Sequence, residues 1–416
     1  MALRIGLSAI AMVIVAEGAV WLLRPRETPI EPAHVAEDDY FTHAQVEEAQ
    51  DFRGGQLLLF GASLAVEGAV LVTVALGHPR QARAALERLG ERPIIGAAVA
   101  GAGISLAISA ATLPVGLWAH ERATDVGLST QSVGAWLGDV GKSAAIGATL
   151  TGAGAALLMG LVRRFQRHWW IPGSVGVVAI AVVLTWLAPV VLAPVFNRFD
   201  PLPKRSPARA DVLALAKRAG VDVGEVYRVD ASRRSTALNA YVDGVGPTKR
   251  VVLYDTLLDD ANRPELNSIV AHELGHVAHD DILRGLGFVA IVAPLGLIFA
   301  REVATGVAGR SGADLRWPEG LPALFLGLAL AGLILSVPGN QLSRKVEASA
   351  DQFALELTND PKALIDVQQR LTVTNVSDPD PPDAVTFLLG THPPALERIG
   401  AAVAYERNES TVSSSP

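Results

Sequence analysis

The chain has 416 residues, half of them hydrophobic and only 19% charged, with a mean hydropathy of +0.33. That is too apolar for an ordinary soluble protein of this size and directs attention to a membrane. With no cysteine, any zinc must rest on histidine and carboxylate, and a net charge of −7 without a basic, aromatic-laced block sets nucleic acid aside as a partner.

Seven runs reach the roughly 20 apolar residues that a membrane-crossing helix needs. They are residues 5–23, 55–77, 94–118, 143–162, 171–195, 282–300 and 321–338. The first is longer than the apolar core of a secretory signal and ends in Trp21-Leu22-Leu23-Arg24, a poor cleavage site, so it reads as a retained helix. Trp21, Trp118, Trp169, Trp170 and Trp317 lie near segment ends, as interfacial anchors do. Glu17 and Glu67 stand near the middle of the first two spans, where a carboxylate needs a partner or a watery cavity.

This pattern predicts a mostly α, polytopic membrane protein. A five-helix membrane region with loops occupies 1–195, and the first half of a soluble domain follows over 196–281. A membrane hairpin over 282–340 separates it from a second half at 341–405, and a polar, serine-rich tail over 406–416 is expected to be disordered. Two passes separate the halves, so both lie on one side and can form one domain. Loops on the opposite side carry eleven arginines, and the short loops on the domain's side carry five basic residues. By the positive-inside rule this count favours a soluble domain outside the cytoplasm.

The chemistry sits in "SIVAHELGHVAHDD", residues 268–281. His272-Glu273-Leu274-Gly275-His276 fits HExxH: on a helix the two imidazoles share a face and reach one Zn²⁺, with Glu273 placed to act as general base on water in the open position. Asn262 and Glu265 have the spacing of a capping box at the start of that helix. A third ligand is offered by "SRKVEASADQFALEL", residues 343–357, a helix-like run directly after the last span. There Glu347 and Asp351 lie four apart on one face, giving Glu347 to the metal and Asp351 to the support of a ligating imidazole. His279 is two turns along the axis from His272 and stays outside the metal set.

In the order of the chain, "HERATDVGLSTQSVGAWLGDVGK" (120–142), "APVFNRFDPL" (193–202), "SRRSTALNAYVDGVGPTKRVVLYDTLL" (232–258), "IVAHELGH", "SRKVEASADQFA" and "THPPALERI" (391–399) resemble elements of one family. It is the integral-membrane zinc endopeptidases of the type 1 CaaX prenyl protease and the bacterial heat-shock membrane protease. The resemblance implies an α+β, zincin-like catalytic domain split by the helical hairpin, one zinc ion on His272, His276 and Glu347, Glu273 as general base, and Asp351 in support. It also implies that Asn239, Ala240 and Tyr241 lie on an edge strand that holds an extended peptide, and that His392 acts on the peptide near the metal. The residues alone show short β-prone runs at 226–229, 237–242 and 250–254, the last two joined by a Gly-Pro turn. Relatives of the prenyl-protease branch usually carry a further histidine where this chain has Asp281, and the family places its catalytic domain on the cytosolic side.

The expected activity is therefore zinc-dependent hydrolysis of peptide bonds in a membrane-associated or lipidated protein, with membrane lipids as surroundings. Quality control of membrane proteins, in the manner of the heat-shock branch, uses the same parts. A transporter or a silent zinc-binding scaffold is the rival from another class; no matched half-repeats support the former, and an intact Glu273 argues against the latter.

Overall fold

The computed structural model describes residues 1–27, 29–77, 80–244 and 249–413. Among them, seven helices are long and apolar enough to cross a membrane: Ala2–Leu23, His43–Leu76, Pro93–Asp125, Val133–His168, Trp170–Phe196, Asp281–Ser311 and Pro318–Thr358. Each expected span falls on one of them. Several helices run well past the apolar run, because a helix continues on polar residues once its end leaves the lipid. Side chains such as Leu3, Leu58, Val175 and Val190 stand more than two-thirds exposed, the signature of a surface that faces acyl chains rather than water. The third and fourth membrane helices approach closely through small residues: a Cβ on Gly101 would stand 2.6 Å from Ala155 Cβ, and one on Gly152 2.8 Å from Ala98 O.

The sheet has four short strands, β1 (Phe199–Pro201), β2 (Glu225–Val229), β3 (Ala240–Asp243) and β4 (Arg250–Tyr254), in the order β1-β2-β4-β3. β1 pairs antiparallel with β2, β2 parallel with β4, and β4 antiparallel with β3 in the register Ala240↔Leu253. β3 starts three residues later than the alternation at 237–242 suggests, because Leu238 N is taken by Asn375 Oδ1 and Ala237 O by Thr256 Oγ1. The expected Gly-Pro turn lies outside the described residues. β1 has only three residues, too few for alternation to mark it.

The helix Arg263–Ala278 packs on this sheet, and one apolar core joins Val212, Val251, Leu253, Val270 and Leu274 to Leu355, Leu364, Val367 and Ala402. Residues on both sides of the membrane hairpin thus share a single interior. The last span and the run 343–357 turn out to be one uninterrupted helix, Leu321–Thr358, with Pro338 inside it. The chain is also helical over Ala395–Ser413, and this helix runs into the tail expected to be disordered from 406.

Candidate metal centre

Asn262 caps the helix Arg263–Ala278. Its Oδ1 accepts from Glu265 N at 3.0 Å, and Glu265 Oε2 accepts from Asn262 N at 2.9 Å. Glu265 is buried and is also gripped by Arg370 through Nε and Nη2 at 2.9 and 3.0 Å. The start of the helix is therefore held in place, and its third and fourth turns present His272 and His276 on one side.

Three donor atoms converge there. His272 Nε2 and His276 Nε2 are 3.2 Å apart, Glu347 Oε2 is 3.2 Å from the first, and Glu347 Oε1 is 3.6 Å from the second. Donor atoms of all three residues lie within 4.8 Å of one another. Behind them, Asp351 Oδ1 is 2.8 Å from His272 Nδ1 and Asp281 Oδ2 is 3.1 Å from His276 Nδ1. An ionised carboxylate can only accept, so each Nδ1 carries the proton and each Nε2 turns a lone pair into the shared space. Two lone pairs and a carboxylate facing one another repel unless a cation stands among them. Glu347 Oε2 is buried without a hydrogen-bond donor, which leaves it in need of the same positive charge. Burial alone would lower the pKa of His272, yet Asp351 and Glu347 raise it to about 10: the carboxylates draw positive charge, a proton or a metal ion, to the Nε2 side of the ring. With nitrogen and oxygen donors only, the set suits a borderline divalent metal.

Glu273 points from the same turn, its carboxyl raised above the usual carboxylate range by burial against the pull of His272 and His276. His392 brings Nε2 to 3.4 Å from Glu347 Oε2 and keeps its side chain 58% exposed, at the rim of the cluster. Asn239 stands one residue ahead of β3, its backbone oxygen accepting from Tyr254 N at 3.1 Å and its own Oδ1 accepting from Ala240 N at 2.9 Å. Ala240 and Tyr241 open β3, which packs against the HExxH helix and has no strand on its outer side among the described residues. His279 lies away from the trio, with Nδ1 3.2 Å from Ser349 Oγ and its ring edge-on to Phe353.

Two residues of the centre escaped the reading of the sequence. Arg398 clamps Asp351 in a fork, Nε to Oδ2 at 2.7 Å and Nη2 to Oδ1 at 2.5 Å, and reaches His272 Nδ1 at 3.5 Å. It stands six residues after His392 in the same quoted element, but nothing in its spacing ties it to Asp351. Asp281 was noticed only as a departure from the family pattern, not as the partner of His276. The loop within 120–142 was singled out, but not its partner: Ser129 bridges Ser235, with Thr130 N donating to Arg234 O at 3.1 Å and Thr236 N to Leu128 O at 3.1 Å. Asp139 then ties the fourth membrane helix to Arg234 at 2.9 Å, so the segment leading into β3 is anchored on the membrane region.

Comparison with known proteins fits this geometry. Residues 205–406 match peptidase family M48, and residues 27–198 match the CAAX prenyl protease N-terminal region with five membrane helices. The chain is 32% identical over 306 residues to the uncharacterized metalloprotease YhfN of Bacillus subtilis (strain 168), covering 71% of this chain and 70% of that one. It is 31% identical over 236 residues to the CAAX prenyl protease 1 homolog of Oryza sativa subsp. japonica, spanning about half the length of each (54% and 53%). The crystal structure of S. mikatae Ste24p shares the fold, with a TM-score of 0.74 at 20% identity over 96% of this chain and 98% of that one. The chain belongs to peptidase family M48 and is a multi-pass membrane metalloprotease.

Proposed function

We propose that the chain is a zinc-dependent membrane endopeptidase whose ion is held by His272, His276 and Glu347, with Glu273 as general base. The observation that carries this reading is the pair of Nε2 atoms 3.2 Å apart, each backed by a carboxylate at Nδ1. The catalytic domain is assembled from 196–281 and 341–405 across the hairpin 282–340. When bound, zinc supplies Lewis acidity, polarising the scissile carbonyl and lowering the pKa of the attacking water.

The chain's own groups do the rest. Glu273 takes a proton from the attacking water and later delivers it to the departing amine; a carboxyl raised by burial suits both directions of transfer. Asp351, held by Arg398, keeps the His272 ring in one tautomer and orientation. His392, at the rim, is placed to donate to the oxyanion that forms at the attacked carbonyl. An extended peptide adds beside β3 at 239–241, where the free strand edge offers backbone donors and acceptors.

The substrate class we favour is a membrane-associated or lipidated peptide. The rice relative's printed name supports it, as does a site mounted directly on membrane helices. The test uses purified protein: Glu273→Gln is expected to keep its zinc and lose peptidase activity, whereas Glu347→Ala loses both. Wild-type activity in Glu273→Gln sinks the mechanism. Substrates trapped by Glu273→Gln in the native membrane separate prenylated peptides from damaged membrane proteins.

A further inference from the structure

The HExxH helix ends at Ala278, and Asp280 adopts the left-handed conformation, φ 54°, before the membrane helix Asp281–Ser311 begins. On an unbroken helix, a residue five positions after His276 would lie roughly 140° around the axis from it. The kink at Asp280 turns Asp281 back, so that its Oδ2 meets His276 Nδ1 at 3.1 Å. Its other oxygen, Oδ1, accepts from Arg284 Nε at 2.9 Å. Arg284 donates onward through Nη1 to Leu23 O at 2.5 Å and through Nη2 to His279 O at 3.3 Å.

Leu23 is the last residue of the helix Ala2–Leu23. Its carbonyl is one of the four that a helix end leaves without an internal donor, and the negative end of the helix dipole faces the guanidinium. The same helix touches the other half of the centre: Gln341 Nε2 donates to Glu17 Oε1 at 3.0 Å, six residues before Glu347 on the same helix. The first membrane helix lies outside both stretches that match the family, 27–198 and 205–406.

We propose that Asp281 and Arg284 form a positioning relay through which the end of the first membrane helix sets the orientation of the His276 imidazole. This rests on the reading of His276 as a metal ligand. The carboxylate holds the proton on Nδ1, fixes the plane of the ring and leaves Nε2 free to ligate. The flat fork of Arg284 joins Asp281 and Leu23 O at once, a geometry that a lysine does not reproduce.

The test uses the full-length protein purified in detergent, with the zinc dissociation constant measured in competition with a chromophoric chelator. The unfolding midpoint of the metal-free protein is recorded beside it. Asp281→Ala and Arg284→Ala are expected to weaken zinc binding by roughly 10–100-fold, with Asp281→Asn and Arg284→Lys falling between them and wild type. Zinc affinity is compared per folded molecule, so that any fall in the metal-free midpoint from breaking the ion pair is separated from the loss of affinity. Wild-type zinc affinity in Asp281→Ala and Arg284→Ala overturns the relay, as does a lowered metal-free midpoint without a change in affinity. Should Asp281→Ala fail to fold, Arg284→Ala carries the test, because it leaves Asp281 on His276 and removes only the tie to Leu23. His276→Ala separates the two claims: wild-type zinc affinity in that variant sinks the ligand reading, whereas loss of zinc there beside intact affinity in the relay variants sinks the relay alone.

Discussion

Gly275 and Ala350 are the point at which the HExxH helix and the Glu347 helix touch. A Cβ placed on Gly275 would stand 3.2 Å from Ala350 Cα and 3.2 Å from Phe353 Cδ1, tighter than packed side chains normally allow. The glycine permits the close crossing, and the crossing brings Glu347 to His272 and His276. Gly275→Ala is therefore expected to cost about 1–3 kcal/mol in stability. It should also weaken metal binding, because the helices must part by a few tenths of an ångström. Thermal unfolding and metal titration of the purified variant check both, and wild-type values for both would remove the glycine from the argument.

Chelation is expected to abolish peptidase activity and lower the unfolding midpoint, with zinc restoring both. A ligand present at 1,000 times its dissociation constant stabilises the folded state by about 4 kcal/mol. Differential scanning of the protein with and without chelator measures the shift directly. An unchanged midpoint would mean that the three donors hold no structural metal.

Asp351 and Arg398 form a buried, two-point ion pair against His272. Arg398→Ala strands the carboxylate in the interior, and breaking a buried pair in this way costs about 3–5 kcal/mol. The double variant Asp351→Asn with Arg398→Ala should recover part of that stability and none of the activity. Chemical denaturation of the single and double variants reads the difference.

His392→Ala is expected to leave the metal content intact while lowering kcat more than it raises KM, if it acts at the attacked carbonyl as proposed rather than in peptide binding. Steady-state kinetics on one peptide, with the metal measured in the same sample, decides it. Loss of metal together with activity would move His392 from the rim into the ligand set.

Asn262→Ala removes the cap of the HExxH helix and should cost about 1 kcal/mol, the usual value for losing such a cap. Metal affinity per folded molecule is expected to stay at the wild-type level, because the cap lies more than two turns from His272. Urea denaturation and metal titration make the comparison.

What could be read from the residues alone was whatever has a local period. The membrane helices show as long apolar runs, the capping box as Asn262 and Glu265 three apart, and the metal set as histidines and carboxylates four apart. Contacts without a period stayed hidden. Arg398 meets Asp351 only because the helix Ala395–Ser413 packs back on the core, and Asp281 meets His276 only because Asp280 adopts a positive φ that no pattern of residue types announces. Nor did the sequence suggest that the last span and the Glu347 run are one helix, with Pro338, the last residue of the expected span, inside it. In a helix that neighbours hold on several sides, a proline is accommodated rather than decisive.

That single helix has a consequence for biosynthesis. His272, Glu273 and His276 leave the ribosome before the hairpin, while Glu347, Asp351, His392 and Arg398 follow it. A nascent chain stalled or misinserted at either of the last two passes carries the histidines without the carboxylate that completes them. On the function proposed above, the three donors can meet only once the hairpin has been threaded into the bilayer, so a copy stalled before the last pass lacks the full set.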